Sequence, residues 1–270
     1  MAESAVITGD IGLLALSEMF DSCMNEFDRV DRDWQYGKDY KKEALKLDLL
    51  QLRLSRWGKS VAIRESPRKT GGFEPTASSA EVERVREILR YIKEDFKIAQ
   101  EKSERYARQK VPTPERDDEA KTIDELSTRV RKLALSRQKR SNPAQKARWP
   151  LHNKERLASL VEDMKENIDM LTGLFPTAVA RQTQLAEAEV SDITHPNGLN
   201  HPRKAVIALY EISRGVGEQA TDAVERVAAV RDTFLTELTG TERRACASLP
   251  SDHGSQLFDE PSGAGTFCIH

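Results

Sequence analysis

A chain of 270 residues is long enough for one large or two small domains, and a folded body of that size buries roughly three quarters of its unfolded surface. Hydrophobic residues make up 38%, aromatics 6% and charged residues 32%, a lean, charge-rich mixture that suits amphipathic helices and argues against β-sandwiches and doubly wound sheets. Fourteen Gly and eleven Pro exclude a collagenous or low-complexity chain, and the formal net charge of -2 says nothing about partners until it is resolved along the sequence.

Hydrophobic period gives a series of helices and almost no strand signal. Residues 11–30 place Leu13, Leu16, Phe20, Cys23, Met24 and Phe27 on one side. At about 100° per residue, Asp10, Ser17, Asp21, Asn25 and Asp28 fall near one line opposite. The next helix runs from about Asp39 to Trp57 through Leu47, Leu50 and Leu54, with Gly58 as its expected stop. After a loop with Pro67, Gly71, Gly72 and Pro75, Ser78 with Glu81 reads as a capping box opening a long helix to about Gln109, ended by Pro112 and Pro114. That helix is buried through Val82, Val85, Leu89, Ile92, Phe96 and Ala99.

Thr122 with Glu125 makes a second capping box before Leu126, Val130 and Leu133, and the stretch beyond is broken at Pro143 and Pro150. Leu157, Leu160, Val161, Met164, Ile168 and Leu171 define a further helix that stops at Phe175-Pro176. A short Ala/Glu-rich helix and a His195-Pro196-Asn197-Gly198 turn follow, and residues 203–238 return to helix. Residues 239–270 hold Gly, Ser, Pro and single charges without period and read as a flexible tail. The expected fold is all-α, one globular bundle of six to nine helices over residues 1–238, followed by that tail.

Catalytic and metal-binding patterns are missing from the sequence, and neither an enzyme nor a cofactor is expected. The five His residues lack the i, i+4 pairing of a helical zinc site, and in Gly58-Lys59-Ser60 the first Gly of a phosphate loop is replaced by Arg53. Cys23, Cys246 and Cys268 fit no disulfide framework, which points to a reducing compartment. No signal peptide, myristoylation site or prenylation box is legible, so the expected resting location is cytoplasmic.

Charge is unevenly spread. Residues 1–36 hold eight acids against Arg29 and Arg32. Residues 126–154 hold no acid and carry Arg129, Arg131, Lys132, Arg137, Lys139, Arg140, Lys146, Arg148 and Lys154. Such a run suits anionic lipid headgroups at about 1 kcal/mol per basic residue, or nucleic-acid phosphates, and equally a solvated helix end. Trp149 alone interleaves it, so no nucleic acid is expected. The leading segment is in conflict with itself. From Ser4 to Met24 it is nearly bilayer length, but Asp10, Glu18 and Asp21 resist burial, each Asp costing about 2.5–3.5 kcal/mol on insertion scales. In several assembled copies, Asp10, Ser17 and Asp21 would line the wet side while Ile11, Leu13, Leu14, Leu16, Met19 and Phe20 face acyl chains.

Phe20-Asp21-Ser22-Cys23, Tyr36-Gly37-Lys38-Asp39-Tyr40, Leu52-Arg53-Leu54-Ser55-Arg56-Trp57-Gly58, Ser136-Arg137-Gln138-Lys139 with Trp149, and Phe175-Pro176 occur in this order. Together they resemble the HeLo domain, the prion-inhibition domain of fungal heterokaryon-incompatibility proteins of the HET-s/HET-S type, over about residues 5–230. The resemblance implies an all-α domain that dimerises and executes cell death by permeabilising membranes. A C-terminal amyloid segment, templated on an amyloid-motif-bearing or NLR-type receptor partner, would trigger oligomerisation, relocation to the plasma membrane and release of residues 4–27. Residues 239–270 depart from the family's prototype in showing no pair of imperfect repeats. The alternative function is a helical dimerisation or adaptor module in incompatibility or innate-immunity-like signalling, without membrane activity.

Overall fold

The computed structural model describes residues 3–31, 37–64, 77–104, 118–137, 148–151 and 153–230, with α1 side chains from residue 15 onward. The chain divides into two units, Met1–Ala229 and Val230–His270. The elements below build the first; apart from Val230 the second, with the expected tail, lies outside the described residues.

Eight helices stand among the described residues: α1 (Glu3–Arg29), α2 (Lys38–Ser60), α3 (Ser79–Glu104), α4 (Asp118–Ser136), α5 (Lys154–Leu174), α6 (Val179–Ile193), α7 (Pro202–Ser213) and α8 (218–230). A 3₁₀ turn, Pro176–Ala178, joins α5 to α6 after the Phe175-Pro176 stop. The all-α expectation holds. The additions are β1 (Val30–Asp31) and β2 (Trp149–Pro150), a parallel pair too short to leave a period in the sequence.

The α2 helix is the axle. It packs against α1, α4, α5, α6 and α7, and every residue from Leu47 to Gly58 is buried. Its apolar side chains join those of the surrounding helices in one core. Trp57 lies at the centre, its indole N–H donating to the Leu171 carbonyl at 3.0 Å and its ring 6.4 Å from that of Phe175. Tyr40 ties the start of α2 to the segment before α5, its hydroxyl donating to the Leu151 carbonyl at 2.6 Å.

The ends of the helices correct several expectations. Gly58 does not stop α2; it lies inside the helix. The stop comes through the Ile63 N–H to the Gly58 carbonyl at 3.0 Å and the Ala62 N–H to the Lys59 carbonyl at 3.3 Å, a Schellman motif with Ala62 at φ 56° where glycine is preferred. The Ser78–Glu81 capping box is formed: the Ser78 N–H donates to Glu81 at 2.7 Å and the Glu81 N–H to the Ser78 hydroxyl at 3.2 Å. The Thr122–Glu125 box is not. α4 starts a turn earlier, with Asp118 and Glu119 at its positive end, Thr122 donating to the Asp118 carbonyl at 3.0 Å and Glu125 accepting from the Asn200 N–H at 3.2 Å.

The expected helix over 203–238 is interrupted at 214–217. Gly217 there takes φ 140°, and a Cβ on it would lie 2.8 Å from the Arg53 guanidinium. α3 is described as far as Glu104; its expected extension to Gln109, together with Pro112, Pro114 and Pro143, falls outside the described residues.

Candidate functional site

The site is the seat that the bundle forms for α1. Leu16, Phe20, Cys23, Met24 and Phe27 recur at steps of three and four, and each is fully or almost fully buried, while Ala15 and Glu18 on the outer side are exposed. Phe20 lies on Gly58 of α2: a Cβ there would come within 2.8 Å of the ring's Cε2, so only glycine admits this approach. The Phe20 ring is 6.1 Å from Trp57, and Phe27 meets Phe96 of α3 edge-on at 4.8 Å. The Cys23 thiol donates to the Leu89 carbonyl at 3.2 Å, and burial pushes its pKa up to about 12, so it stays a neutral part of the contact. Burying Leu16, Phe20, Met24 and Phe27 is worth on the order of 10 kcal/mol gross, before the entropy of ordering the helix is subtracted.

Polar contacts close the rim of this seat. Asp21 receives the Arg64 guanidinium, Nε donating at 2.5 Å, and the same guanidinium lies 4.9 Å from the Phe20 ring centre. Its Nη1 donates to the Arg137 carbonyl at the end of α4, at 2.8 Å. Farther along α1, Asp28 accepts from the Gln51 amide at 2.8 Å. β1 then carries the chain into register with β2, Val30 opposite Trp149.

Behind the seat, α2 buries charge. Arg53 bridges Asp169 at 2.6 Å and donates to the Val216 carbonyl at 3.0 Å. Arg56 lies 3.7 Å from Glu189 of α6, which also accepts from Arg137. Burial lowers the Arg56 pKa, with Glu189 opposing the shift and the charges of Arg53 and Arg137 adding to it. Asp48 is wholly buried, accepting from Ser127, with Arg131 at 3.8 Å. Among the described residues, Arg53 Nε, Arg56 Nε and both amide atoms of the fully buried Gln182 have no hydrogen-bond partner. A cavity of about 20 Å³ beside Arg56, Glu189, Ser213 and Val224 is too small for an organic ligand. No group of His, Cys, Asp and Glu suited to a metal ion occurs among the described residues.

The structure distributes the sequence-predicted residues unevenly. Leu16 and Phe20 are buried and Met19 partly so; Ser17 and Asp21 sit on the flank. Asp10, Ile11, Leu13 and Leu14 belong to α1, but their side chains lie outside the described residues. Of the basic run, Arg129 donates to the carbonyls of Ile193 at 2.9 Å and His195 at 2.8 Å, complementing the C-terminal end of α6. Arg131 and Arg137 turn inward to Asp48 and Glu189, and Lys154 meets Asp39 at 3.2 Å. Lys132 and Arg148 are exposed, whereas Lys139, Arg140 and Lys146 lie outside the described residues. Arg64, Glu189 and Gln182 escaped the sequence reading: an Arg in a turn and polar residues on a helix carry no period that marks them as buried or paired.

An all-α domain with one amphipathic helix docked at the edge of a charged axle is the class that this geometry defines. The HeLo family, described as prion-inhibition and propagation, matches residues 10–201, and the chain belongs to that family. Heterokaryon incompatibility protein s of Podospora anserina is 30% identical over 247 residues, covering 90% of this chain and 84% of its own length. Heterokaryon incompatibility protein S of the same species is 28% identical, covering 88% and 80%. The solved HET-s N-terminal domain superposes with a TM-score of 0.65 at 27% identity, covering 80% of this chain and 97% of that one. A double-substituted form of that domain gives the same TM-score at 26% identity, covering 79% and 98%.

Proposed function

We propose that the chain is a cell-death effector of the heterokaryon-incompatibility kind, inactive while α1 is docked and active when oligomerisation frees α1 to permeabilise a membrane. The observation that carries this reading is the seat itself: an apolar stripe, Leu16 to Phe27, buried on a helix that presents Ala15 and Glu18 to solvent. Family membership and the incompatibility proteins among its relatives support the biological setting.

At 1.5 Å per residue the 27 residues of α1 reach roughly 40 Å, enough for a bilayer. Among the described residues, however, no helix is long and apolar enough to cross a membrane alone. Insertion is therefore collective. Ile11, Leu13, Leu14, Leu16, Met19 and Phe20 face lipid, and Asp10, Ser17 and Asp21 face neighbouring copies. Closed and open forms exchange as a population, and assembly on a templating partner, an amyloid-motif-bearing or NLR-type receptor, favours the open one. The protein then moves from the cytoplasm to the plasma membrane, where the exposed Lys132 and Arg148 meet anionic lipid; Lys139, Arg140 and Lys146 join them in this reading on sequence alone. Arg129, Arg131 and Arg137 contribute to that contact only if the domain opens.

The test is dye release from phosphatidylcholine–phosphatidylserine vesicles by the chain carrying Gly58→Leu, which evicts Phe20, with and without residues 1–14. That deletion keeps Leu16, Phe20, Cys23, Met24 and Phe27, which fill the seat. The reading expects leakage from the longer form alone; equal leakage, or none from a chain whose α1 is shown to be undocked, contradicts it. The absence of a self-sufficient span and the inward engagement of Arg129, Arg131 and Arg137 favour a second reading, an adaptor that never enters lipid. It expects no leakage from either form.

A further inference from the structure

The apolar stripe explains why α1 docks, but it does not explain what meets the carboxylate on the flank of that stripe. We propose that Arg64 is the clasp of the closed state: one guanidinium joins Asp21 and Phe20 of α1 to the end of α4, so that α1 leaves only when this three-way contact breaks. The proposal rests on the reading that α1 is released, and names the residue that regulates the release.

Each face of the guanidinium is used differently. Its Nε and Nη2 edge holds the Asp21 carboxylate, its plane lies 4.9 Å from the centre of the Phe20 ring, and its Nη1 donates to the Arg137 carbonyl at 2.8 Å. A lysine ammonium reproduces the charge but not the flat fork that serves a carboxylate, a carbonyl and a ring at once. Arg64 is also held in place by the backbone. The α2 stop puts Ala62 in the left-handed region at φ 56° and anchors Ile63, which is buried, through its N–H to Gly58. The chain therefore delivers Arg64 to the edge of the same glycine that seats Phe20.

The contact also has a route inward. Arg137, whose carbonyl Arg64 holds, extends its side chain to Glu189, and Glu189 faces Arg56 on the axle. This contiguity runs from Asp21 on α1 through Arg64, Arg137 and Glu189 to Arg56. The two ends differ in a way that suits a latch. Arg56 and Glu189 are almost fully buried, whereas the Asp21 side chain is 37% exposed and that of Arg64 17%. Water and ions reach the outer pair and can open it without unpairing the buried charges. Once α1 has left, Asp21 loses its cation and becomes one of the carboxylates that make solitary insertion costly, which favours assembly over single-copy insertion.

Amide hydrogen exchange on the full chain tests the clasp. Arg64→Gln and Asp21→Asn are each expected to speed exchange in residues 15–29 about tenfold, the scale of a partly buried ion pair reinforced by a ring contact. Residues 45–57 of α2 are expected to keep their protection, Arg64→Lys to fall between wild type and Arg64→Gln, and the double variant to exchange no faster than Arg64→Gln alone. Equal acceleration in α1 and α2, or none in α1 with both variants, overturns the proposal. Dye release from phosphatidylcholine–phosphatidylserine vesicles by the same variants separates the two ideas. Undocking with leakage supports both, and undocking without leakage keeps the clasp and removes the insertion reading.

Discussion

Two helices that touch each other have opposite standing in this domain. α2 is buried on every side from Leu47 to Gly58, and its Asp48, Gln51, Arg53 and Arg56 find partners on surrounding elements. α1 is buried on one side, presents Ala15 and Glu18 to solvent, and meets its neighbours mainly through apolar contacts. Removing α2 would strand charges in a core; removing α1 exposes mostly hydrocarbon and leaves Gln51 without Asp28. The proposed release therefore falls on the element whose departure disturbs the least buried charge.

Substitutions sharpen this contrast. The largest effect is expected on the axle: Glu189→Ala leaves Arg56 and Arg137 without their carboxylate and costs about 3–5 kcal/mol in global stability by urea denaturation. Where the axle meets α1, Gly58→Ala drives a methyl into the Phe20 ring and costs about 1–3 kcal/mol. Its effect appears first as faster exchange in α1, and a loss of protection spread evenly over α1 and α2 would break the distinction.

The α3–α5 seam is expected to respond to pH. Burial, then the charge of Asp163, raises the Asp95 pKa to about 6, with Glu94 and Glu166 adding and the Asn167 hydrogen bond opposing. Folding therefore favours the protonated acid. The stabilisation is complete below the ordinary carboxylate value of about 4 and is lost as pH rises through 6. Because Asp95 is half-exposed, about 1 kcal/mol is expected after allowing for screening. Asp95→Asn flattens the stability–pH curve between about pH 4 and 6 and raises Tm at neutral pH; an unchanged slope contradicts the assignment. The smallest effect is a gain: Ala62→Gly relieves the left-handed alanine and stabilises the domain by about 0.5–1 kcal/mol in urea.

Apolar period made the helices legible. Leu16, Phe20, Met24 and Phe27 are buried where that spacing places them, and Ser78 with Glu81 caps α3 as the motif predicts. Glycine was the ambiguous letter. Gly58 reads as a stop but is a seat for a ring, and the role of Gly217 depends on Arg53, which lies far away in sequence. The Thr122–Glu125 pattern failed because the acids at Asp118 and Glu119 suit the helix start better, Glu119 being further tied to Lys42 at 2.9 Å. Charge was the least legible. The acid-free run looks like a solvated or lipid-facing strip, but Arg129, Arg131 and Arg137 are drawn inward by carbonyls and carboxylates on other helices. Partners of that kind have no local signature, which is also why Arg64 stayed hidden until the turn after α2 set it against Asp21.

Native-state hydrogen exchange of the unmodified chain across low urea concentrations tests the central claim most directly. The account predicts that amides of residues 15–29 exchange through an opening of lower free energy than global unfolding, while those of residues 45–57 exchange only when the whole domain unfolds. If both stretches open together, with the same free energy and the same urea dependence, α1 is no more releasable than the axle and the account is contradicted.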